Sequence, residues 1–168
     1  MEEIINRVAE SGIKTINLEN LIPQGKRSEI DLKDLLFQGF VLKENDFRTF
    51  INETQWSSYS DNFVNVVCSA DAIIPNWAYM LVASRLSGVA EKVIFGDKNA
   101  LESQLLLDEI NKIDLNEYRD ERVIIKGCSD KAIGEDAYLN LTLRLTPVVK
   151  SLMFGEPCSA VPVFKKRK

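Results

Sequence analysis

Three cysteines, Cys68, Cys128 and Cys158, are the residues of this chain whose chemistry stands out most. Each is followed by serine and stands where a regular element should stop. The chain contains no histidine, which excludes a Ser-His-Asp triad, a Cys-His dyad and a His-ligated zinc. Any chemistry must therefore use cysteine, carboxylate, lysine, tyrosine, a metal or a borrowed cofactor.

A metal site is the first hypothesis for these thiols. Three thiolates with a carboxylate, from Asp71, Asp130 or Glu156, could hold zinc, iron or an iron-sulfur cluster with one open position. The cysteines lie 60 and then 30 residues apart, without a Cys-x-x-Cys pair. The competing interpretation is packing, because a free cysteine behaves as a small hydrophobic residue and is commonly buried.

A reactive thiol is the second hypothesis. A cysteine near the start of a helix has its thiolate stabilised by the helix dipole and by free N–H groups. Without histidine, the base would be a lysine, a carboxylate or the substrate itself. This favours thiol transfer or persulfide carriage over peptidase chemistry.

Four carboxylates that follow predicted elements form the third candidate, and they are Asp71, Asp97, Asp130 and Glu156. Paired carboxylates at the edge of a sheet could bind magnesium and a phosphorylated substrate. Aspartates in such places also simply cap helices and turns. No Gly-rich phosphate loop accompanies them, so we expect no nucleotide cofactor.

Strand and helix patterns alternate from about residue 61 onward, which is typical of a mostly parallel sheet flanked by helices. We therefore predict an α/β fold and a single domain over residues 1–168, with an N-terminal α+β portion over residues 1–60 and a βαβ-type core over 61–168. The predicted core elements are strands at 63–67, 92–95, 122–126 and 160–164 and helices at 75–86, from 99, and at 135–155. Within the last helical pattern, Thr146-Pro147 indicates a kink or the start of a new helix.

The predicted elements give the cysteines positions in the sheet. Cys68 and Cys128 both fall at the carboxyl end of a strand, where parallel sheets bind ligands. If the two strands are neighbours, both thiols lie at the same edge. Cys158 precedes its strand and reaches that edge only if the last strand runs antiparallel, which we predict.

Length and charge bound the remaining possibilities. The 168 residues suit one domain. The formal charge of −4 argues against a nucleic-acid-binding surface, and the basic run Lys165–Lys168 is typical of a solvated segment. The acidic first residues do not resemble a secretory signal, and no apolar run is long enough for a membrane span. With free thiols, this composition indicates the cytoplasm.

The segments CSADAIIPNWAYM, VIFGD, RVIIKGC and VVKSLMFGEPCSAVPVFKKRK resemble an uncharacterised bacterial domain-of-unknown-function family, numbered twenty-four eighty. The likeness covers essentially the whole chain. It implies no activity, but it implies an association with iron-sulfur-cluster assembly proteins, which would be the partners. It thereby favours a metal or sulfur role for the three cysteines.

Three functions follow from these observations. The leading one is a metal- or sulfur-handling accessory protein with Cys68, Cys128 and Cys158 as ligands or sulfur acceptors and Asp71 beside them. The second is a structural homo-oligomer whose cysteines merely pack. The third is a small-molecule enzyme that uses the carboxylates at the edge of the sheet.

Overall fold

The computed structural model describes residues 12–127, 133–156 and 159–167. The strands are β1 Ile13–Asn17, β2 Arg27–Asp31, β3 Leu36–Phe37, β4 Val41–Leu42, β5 Phe63–Val67, β6 Lys92–Phe95, β7 Arg122–Lys126, β8 Ser151–Phe154 and β9 Val161–Lys165. The α-helices are α1 Glu44–Glu53, α2 Asn76–Leu86, α3 Lys98–Lys112 and α4 Glu135–Leu145.

The chain divides into two compact units. The inserted unit is the continuous segment Gln24–Gln104. The outer unit combines Met1–Pro23 with Leu105–Lys168. The predicted division at residues 60 and 61 falls inside the inserted unit.

The inserted unit is built on a three-stranded parallel sheet in the order β2-β5-β6. Alternate strand residues such as Ile30, Val64 and Val66 are buried and form one core with Phe47 of α1 and Val82 of α2. Four consecutive residues of β5, from Phe63 to Val66, are buried, which is typical of a central strand in a parallel sheet that is covered on both faces. A short hairpin, β3 with β4, lies between β2 and α1.

The outer unit is built on a four-stranded sheet in the order β1-β7-β8-β9. The pairs β1-β7 and β7-β8 are parallel, and β9 runs antiparallel to β8. Its core joins Val123 and Ile125 of β7 to Ile110 of α3 and Leu141 of α4. The predicted antiparallel direction of the last strand is thereby confirmed.

The two units repeat the same structure. The segment from the 3₁₀ turn Trp56–Tyr59 through β5, α2 and β6 has a counterpart in the turn Leu115–Tyr118, β7, α4 and β8, and the residue numbers differ by 59 throughout (122 minus 63 for the central strands). The strand registers correspond as well. Arg27 faces Phe63 in one unit, and Ile13 faces Arg122 in the other.

Local contacts repeat with the elements. Asp61 and Asp120 adopt left-handed φ values of 58° and 57°, and their amides donate to the carbonyls of Val89 and Val148 over 3.0 and 2.8 Å. The rings of Tyr79 and Phe95 meet edge to face, and so do those of the counterparts Tyr138 and Phe154. These shared details establish an internal structural repeat.

The α/β class and the mostly parallel strands are confirmed, but the strands belong to separate sheets rather than one continuous sheet. The predicted long helix at 135–155 is wrong, because α4 ends at Leu145 and Ser151–Phe154 is a strand. Pro147 has no N–H with which to continue a helix. Apolar residues at helical spacing over residues 2–11 predict a further helix that ends at Gly12, and this segment lies outside the described residues.

Candidate functional site

Several polar groups of the inserted unit lie at the edge formed by the carboxyl ends of β2, β5 and β6. Asp31 is the last residue of β2 and pairs in register with Val67, the last residue of β5. Cys68 follows directly, and Gly96 follows β6. Because parallel strands all end at the same edge, their following residues meet there, in the position where such sheets bind ligands.

Cys68 opens the loop between β5 and α2 and carries a free thiol. Its side chain is half-buried and packs against the core of the inserted unit. The thiol donates a weak hydrogen bond to the carbonyl of Ala70, with 3.7 Å between sulfur and oxygen. The sulfur is thus held at the edge of the sheet, partly shielded from solvent.

Asp31 fastens the loop that follows Cys68. Its carboxylate accepts the Ser69 amide at 3.0 Å and the Ser69 hydroxyl at 2.6 Å. It also accepts the Lys33 amide at 3.0 Å, and the Lys33 ammonium lies 3.3 Å away. One side chain therefore caps the 3₁₀ turn Leu32–Leu35 and ties the end of β2 to the Cys68 loop.

The environment of Asp31 strongly favours its ionised form. Burial by itself would raise the pKa of Asp31, but the hydrogen bonds from Ser69 and Lys33 outweigh it and lower the pKa to about 2. The Asp31 side chain is only 13% exposed. The Asp31 carboxylate is therefore ionised at neutral pH, and it contacts the loop that begins at Cys68.

Tyr79 of α2 completes this group. Burial raises the pKa of the Tyr79 hydroxyl, and negative charge on Cys68 and on Asp31 raises it further. Its ring packs edge to face on Phe95 at 5.3 Å between centroids. Cys68, Asp31 and Tyr79 therefore interact electrostatically within one small region.

Asn65 is a buried polar residue in the middle of β5, with 1% of its surface exposed. Its amide nitrogen donates to the Glu29 carboxylate at 2.8 Å and to the Gly96 carbonyl at 3.0 Å. It thereby links β2 and β6 across the central strand. Its Oδ1 has no hydrogen-bond partner among the described residues.

The structure brings together only part of the predicted metal site. Asp71 lies in the same loop as Cys68 and is exposed, whereas Cys128 and Cys158 lie outside the described residues. Within residues 12–127, 133–156 and 159–167, no group of three His, Cys, Asp or Glu side chains could hold a metal. The strands that precede Cys68 and Cys128 belong to different sheets, so they are not the neighbouring strands that a shared edge for both thiols would require.

The other predicted carboxylates have structural tasks. Asp97 accepts the Ala100 amide at 2.9 Å and caps the first turn of α3, and Glu156 forms an ion pair with Lys126. Asp130 lies outside the described residues. Capping and pairing account for Asp97 and Glu156 without a magnesium ion.

The sequence reasoning missed Asp31 and Tyr79, although a signal existed. The segment Asn17-Leu18-Glu19-Asn20-Leu21 matches Asp31-Leu32-Lys33-Asp34-Leu35 at offset 14 (31 minus 17), and both first residues cap a 3₁₀ turn. Likewise, the pair Ala78-Tyr79 recurs as Ala137-Tyr138. A search for internal repeats would have singled out both positions.

The sequence of the chain matches one family along nearly its whole length, over residues 2–166. That family is DUF2480, described as a protein of unknown function. The chain belongs to DUF2480. The resemblance drawn from the cysteine segments is thereby confirmed.

Among other comparisons, this DUF2480 protein has no significant match to a curated protein or to a solved structure. In the part of the chain that the structure describes, none of the helices has the length and apolar character needed to cross a lipid bilayer. Function must therefore be argued from the site itself.

Proposed function

We propose that this DUF2480 protein is a sulfur- or metal-handling accessory protein whose working group is the Cys68 thiol. The observation that supports this function is the place of Cys68. It is half-buried at the ligand-binding edge of a parallel sheet, in a loop that the Asp31 carboxylate fastens through Ser69. A cysteine that only filled the core would not need a loop secured by a charged side chain.

Sulfur transfer is the chemistry that this arrangement suits best. The Cys68 thiolate attacks the terminal sulfur of a donor persulfide, so a new S–S bond forms on Cys68 while the S–S bond of the donor breaks. The donor leaves as a thiolate and takes up the proton that Cys68 released. No oxidant is consumed, and no histidine is required.

Metal binding is the second form of the same proposal. Cys68, Cys128 and Cys158 would supply thiolates, with Asp71 as a further ligand, to zinc, iron or an iron-sulfur cluster. Thiolate ligands suit these metals. In either form, the expected partners are iron-sulfur-cluster assembly proteins.

The decisive experiment is elemental analysis with an absorption spectrum on protein purified without oxygen, followed by a persulfide assay with a sulfur donor. The wild type is compared with Cys68→Ser, Cys128→Ser and Cys158→Ser. Stoichiometric zinc or iron that falls in the variants would establish the metal form. A persulfide that forms on the wild type and is lost in Cys68→Ser would establish sulfur transfer. Neither metal nor persulfide would contradict the proposal.

A structural homo-oligomer is the second candidate, and one observation favours it. Ten large hydrophobic side chains are exposed among the described residues, with Ile73 at 94% and Phe40 and Phe95 at 72%. Exposed apolar groups that cluster mark interaction surfaces. Light scattering during size-exclusion chromatography measures the oligomeric state directly, and a monomer at all accessible concentrations would rule this candidate out.

A further inference from the structure

All exposed large hydrophobic residues of the inserted unit lie at the edge that carries Cys68. We call them the apolar rim, and they are Phe37, Phe40, Val41, Ile73, Met80 and Phe95, with between 46% and 94% of their surface exposed. Other apolar residues of this unit, such as Phe47, Val64 and Val82, are buried in its core. A surface that collects its apolar groups at one edge is typical of a docking site.

The topology explains why these residues share an edge. The hairpin with Phe37, Phe40 and Val41 connects the turn after β2 to the start of α1, Ile73 lies in the loop after β5, and Phe95 ends β6. Each of these positions ends a parallel strand or lies in the segment that follows its carboxyl end. Met80 lies in the second turn of α2, on the side of the helix start.

The hairpin is held in a defined shape. Gln38 and Gly39 at its tip have positive φ values of 52° and 79°, and the Phe40 amide donates to the Phe37 carbonyl at 3.2 Å, which closes the turn. The Lys43 ammonium lies 3.2 Å from the centroid of the Phe37 ring. The exposed rings of this hairpin are therefore presented by ordered backbone rather than by a free loop.

Exposed aspartates lie around the apolar rim, and they are Asp34, Asp71 and Asp97. Asp31 is ionised but Lys33 lies against it and offsets its charge. Lys43 lies over the Phe37 ring and Lys98 is exposed beside Asp97, so the negative charge available to a bound segment comes mainly from Asp34 and Asp71. A segment that binds this edge should therefore be both apolar and basic.

The chain itself contains such a segment in the outer unit. Along β9, Val161 and Val163 are 59% and 52% exposed, and Lys165, Lys166 and Arg167 follow with exposed side chains. Among the strands of the described residues, β9 pairs only with β8 and lies at the edge of its sheet. It therefore presents an extended apolar stretch followed by basic residues, of which Lys166 pairs with Asp120 at 3.0 Å, so Lys165 and Arg167 supply the positive charge for a partner.

We propose that the apolar rim of one copy binds the β9 segment, residues 161–167, of a second copy. Apolar side chains at alternate positions of an extended segment are a common mode of recognition, and the basic residues meet the aspartates of the rim. Since two different surfaces meet, the contact is heterologous, and copies associate in a closed ring, a reciprocal dimer or an open chain. The inference does not depend on the thiol chemistry proposed above.

The test uses self-association and a defined peptide. Sedimentation velocity over a range of protein concentrations, at low and high salt, follows the association of the full chain. Fluorescence anisotropy follows a labelled peptide of residues 159–168 as it binds the full chain. Circular dichroism confirms that each variant remains folded.

Variants separate the two surfaces. Phe40→Ser with Ile73→Ser alters the rim, and Val163→Ser with Lys165→Glu alters the β9 segment. Each double variant should weaken self-association by about tenfold or more, and an equimolar mixture of the two should recover it, because each supplies the surface that the other lacks. Leu143→Ser, on an exposed residue of α4, is the control and should leave association unchanged.

Two results would overturn the proposal. One is a chain that stays monomeric and does not bind the peptide. The other is self-association that survives the rim variants, which would show that a different surface, or a different occupant of the rim, is involved. Weaker association at high salt would further support the charge pairing.

Discussion

Asp31 is the residue on which the arrangement of the candidate site depends most. It receives three hydrogen bonds and an ammonium contact and fastens the loop that begins at Cys68. Asn17, its counterpart in the outer unit, caps its own turn in the same way by accepting the Glu19 amide at 3.1 Å. A comparison of Asp31 with Asn17 therefore separates the two roles of Asp31, which are to cap a 3₁₀ turn and to bind Ser69.

We expect Asp31→Ala to expose Cys68. Removal of the acceptor for Ser69 loses charge-assisted hydrogen bonds of about 1.5 kcal/mol or more, which favours an open loop by about tenfold. Cys68 should then react faster with an aromatic disulfide reagent, measured in a background where Cys128 and Cys158 are replaced by serine. Asp31→Asn should show a smaller increase, because its amide oxygen still accepts one hydrogen bond.

Asn17→Ala is the matched control for this experiment. It removes the equivalent cap from the outer unit, so it should cost a similar amount of capping energy, about 1 kcal/mol, without changing the reactivity of Cys68. Equal reactivity in Asp31→Ala and the parent protein would show that Asp31 does not control the loop.

The low pKa of Asp31 predicts a dependence of stability on pH. The pKa of Asp31 falls from its ordinary value of 3.8 in the unfolded chain to about 2 in the fold, so the carboxylate stabilises the fold above about pH 4. That contribution, about 2 kcal/mol, should be lost as the pH falls from about 4 towards 2. Urea unfolding at several pH values measures it as the difference between the wild type and Asp31→Asn, and a difference that stays constant from pH 5 to pH 2 would contradict the assignment.

At the scale of elements, a glycine with a positive φ follows the third strand of each unit, β6 in the inserted unit and β8 in the outer unit. Gly96 follows β6 with a φ of 132°, and Gly155 follows β8 with a φ of 111°. A Cβ on Gly96 would come within 2.7 Å of the Ala100 side chain, whereas the nearest atom to a Cβ on Gly155 would be the Ser159 carbonyl oxygen at 3.7 Å. The two positions share backbone strain but differ in steric room.

We therefore expect Gly96→Ala to destabilise the protein more than Gly155→Ala. Both alanines would be strained at positive φ, at about 1 kcal/mol, and only the alanine at position 96 would also force apart the packing of β6 and α3, which adds about 1 kcal/mol or more. Thermal and urea unfolding compare the two variants. Equal losses would indicate that α3 shifts freely to accommodate the methyl group.

At the scale of the whole molecule, the inserted unit is continuous in sequence and has its own buried core. Segments of this kind can fold alone. We expect a fragment of residues 24–104 to unfold cooperatively and its Cys68 to react with a thiol reagent at the same rate as Cys68 of the full chain. Circular dichroism and thiol titration measure both properties, and a fragment without a cooperative transition would show that the inserted unit needs the rest of the chain.

The sequence by itself determined the α/β class, the bounds of the central strands and membership of DUF2480. The predicted strands at 63–67, 92–95 and 122–126 agree with the structure, because a short run of apolar, mostly β-branched residues bounded by turn residues is a local signal of a buried strand. The local pattern failed at Thr146 and Pro147, where apolar residues at helical spacing continue into a strand. Proline there ended the helix.

Only the tertiary structure decided which strands pair and which loops meet. Buried aliphatic faces are interchangeable in sequence, so the pattern could not assign β5 and β7 to separate sheets. The contact between Asp31 and Ser69, 38 residues apart, likewise follows from the parallel pairing of β2 with β5, which no local pattern records. The repeat of 59 residues was present in the sequence, but its meaning as two equivalent units emerged from the matching registers and turns.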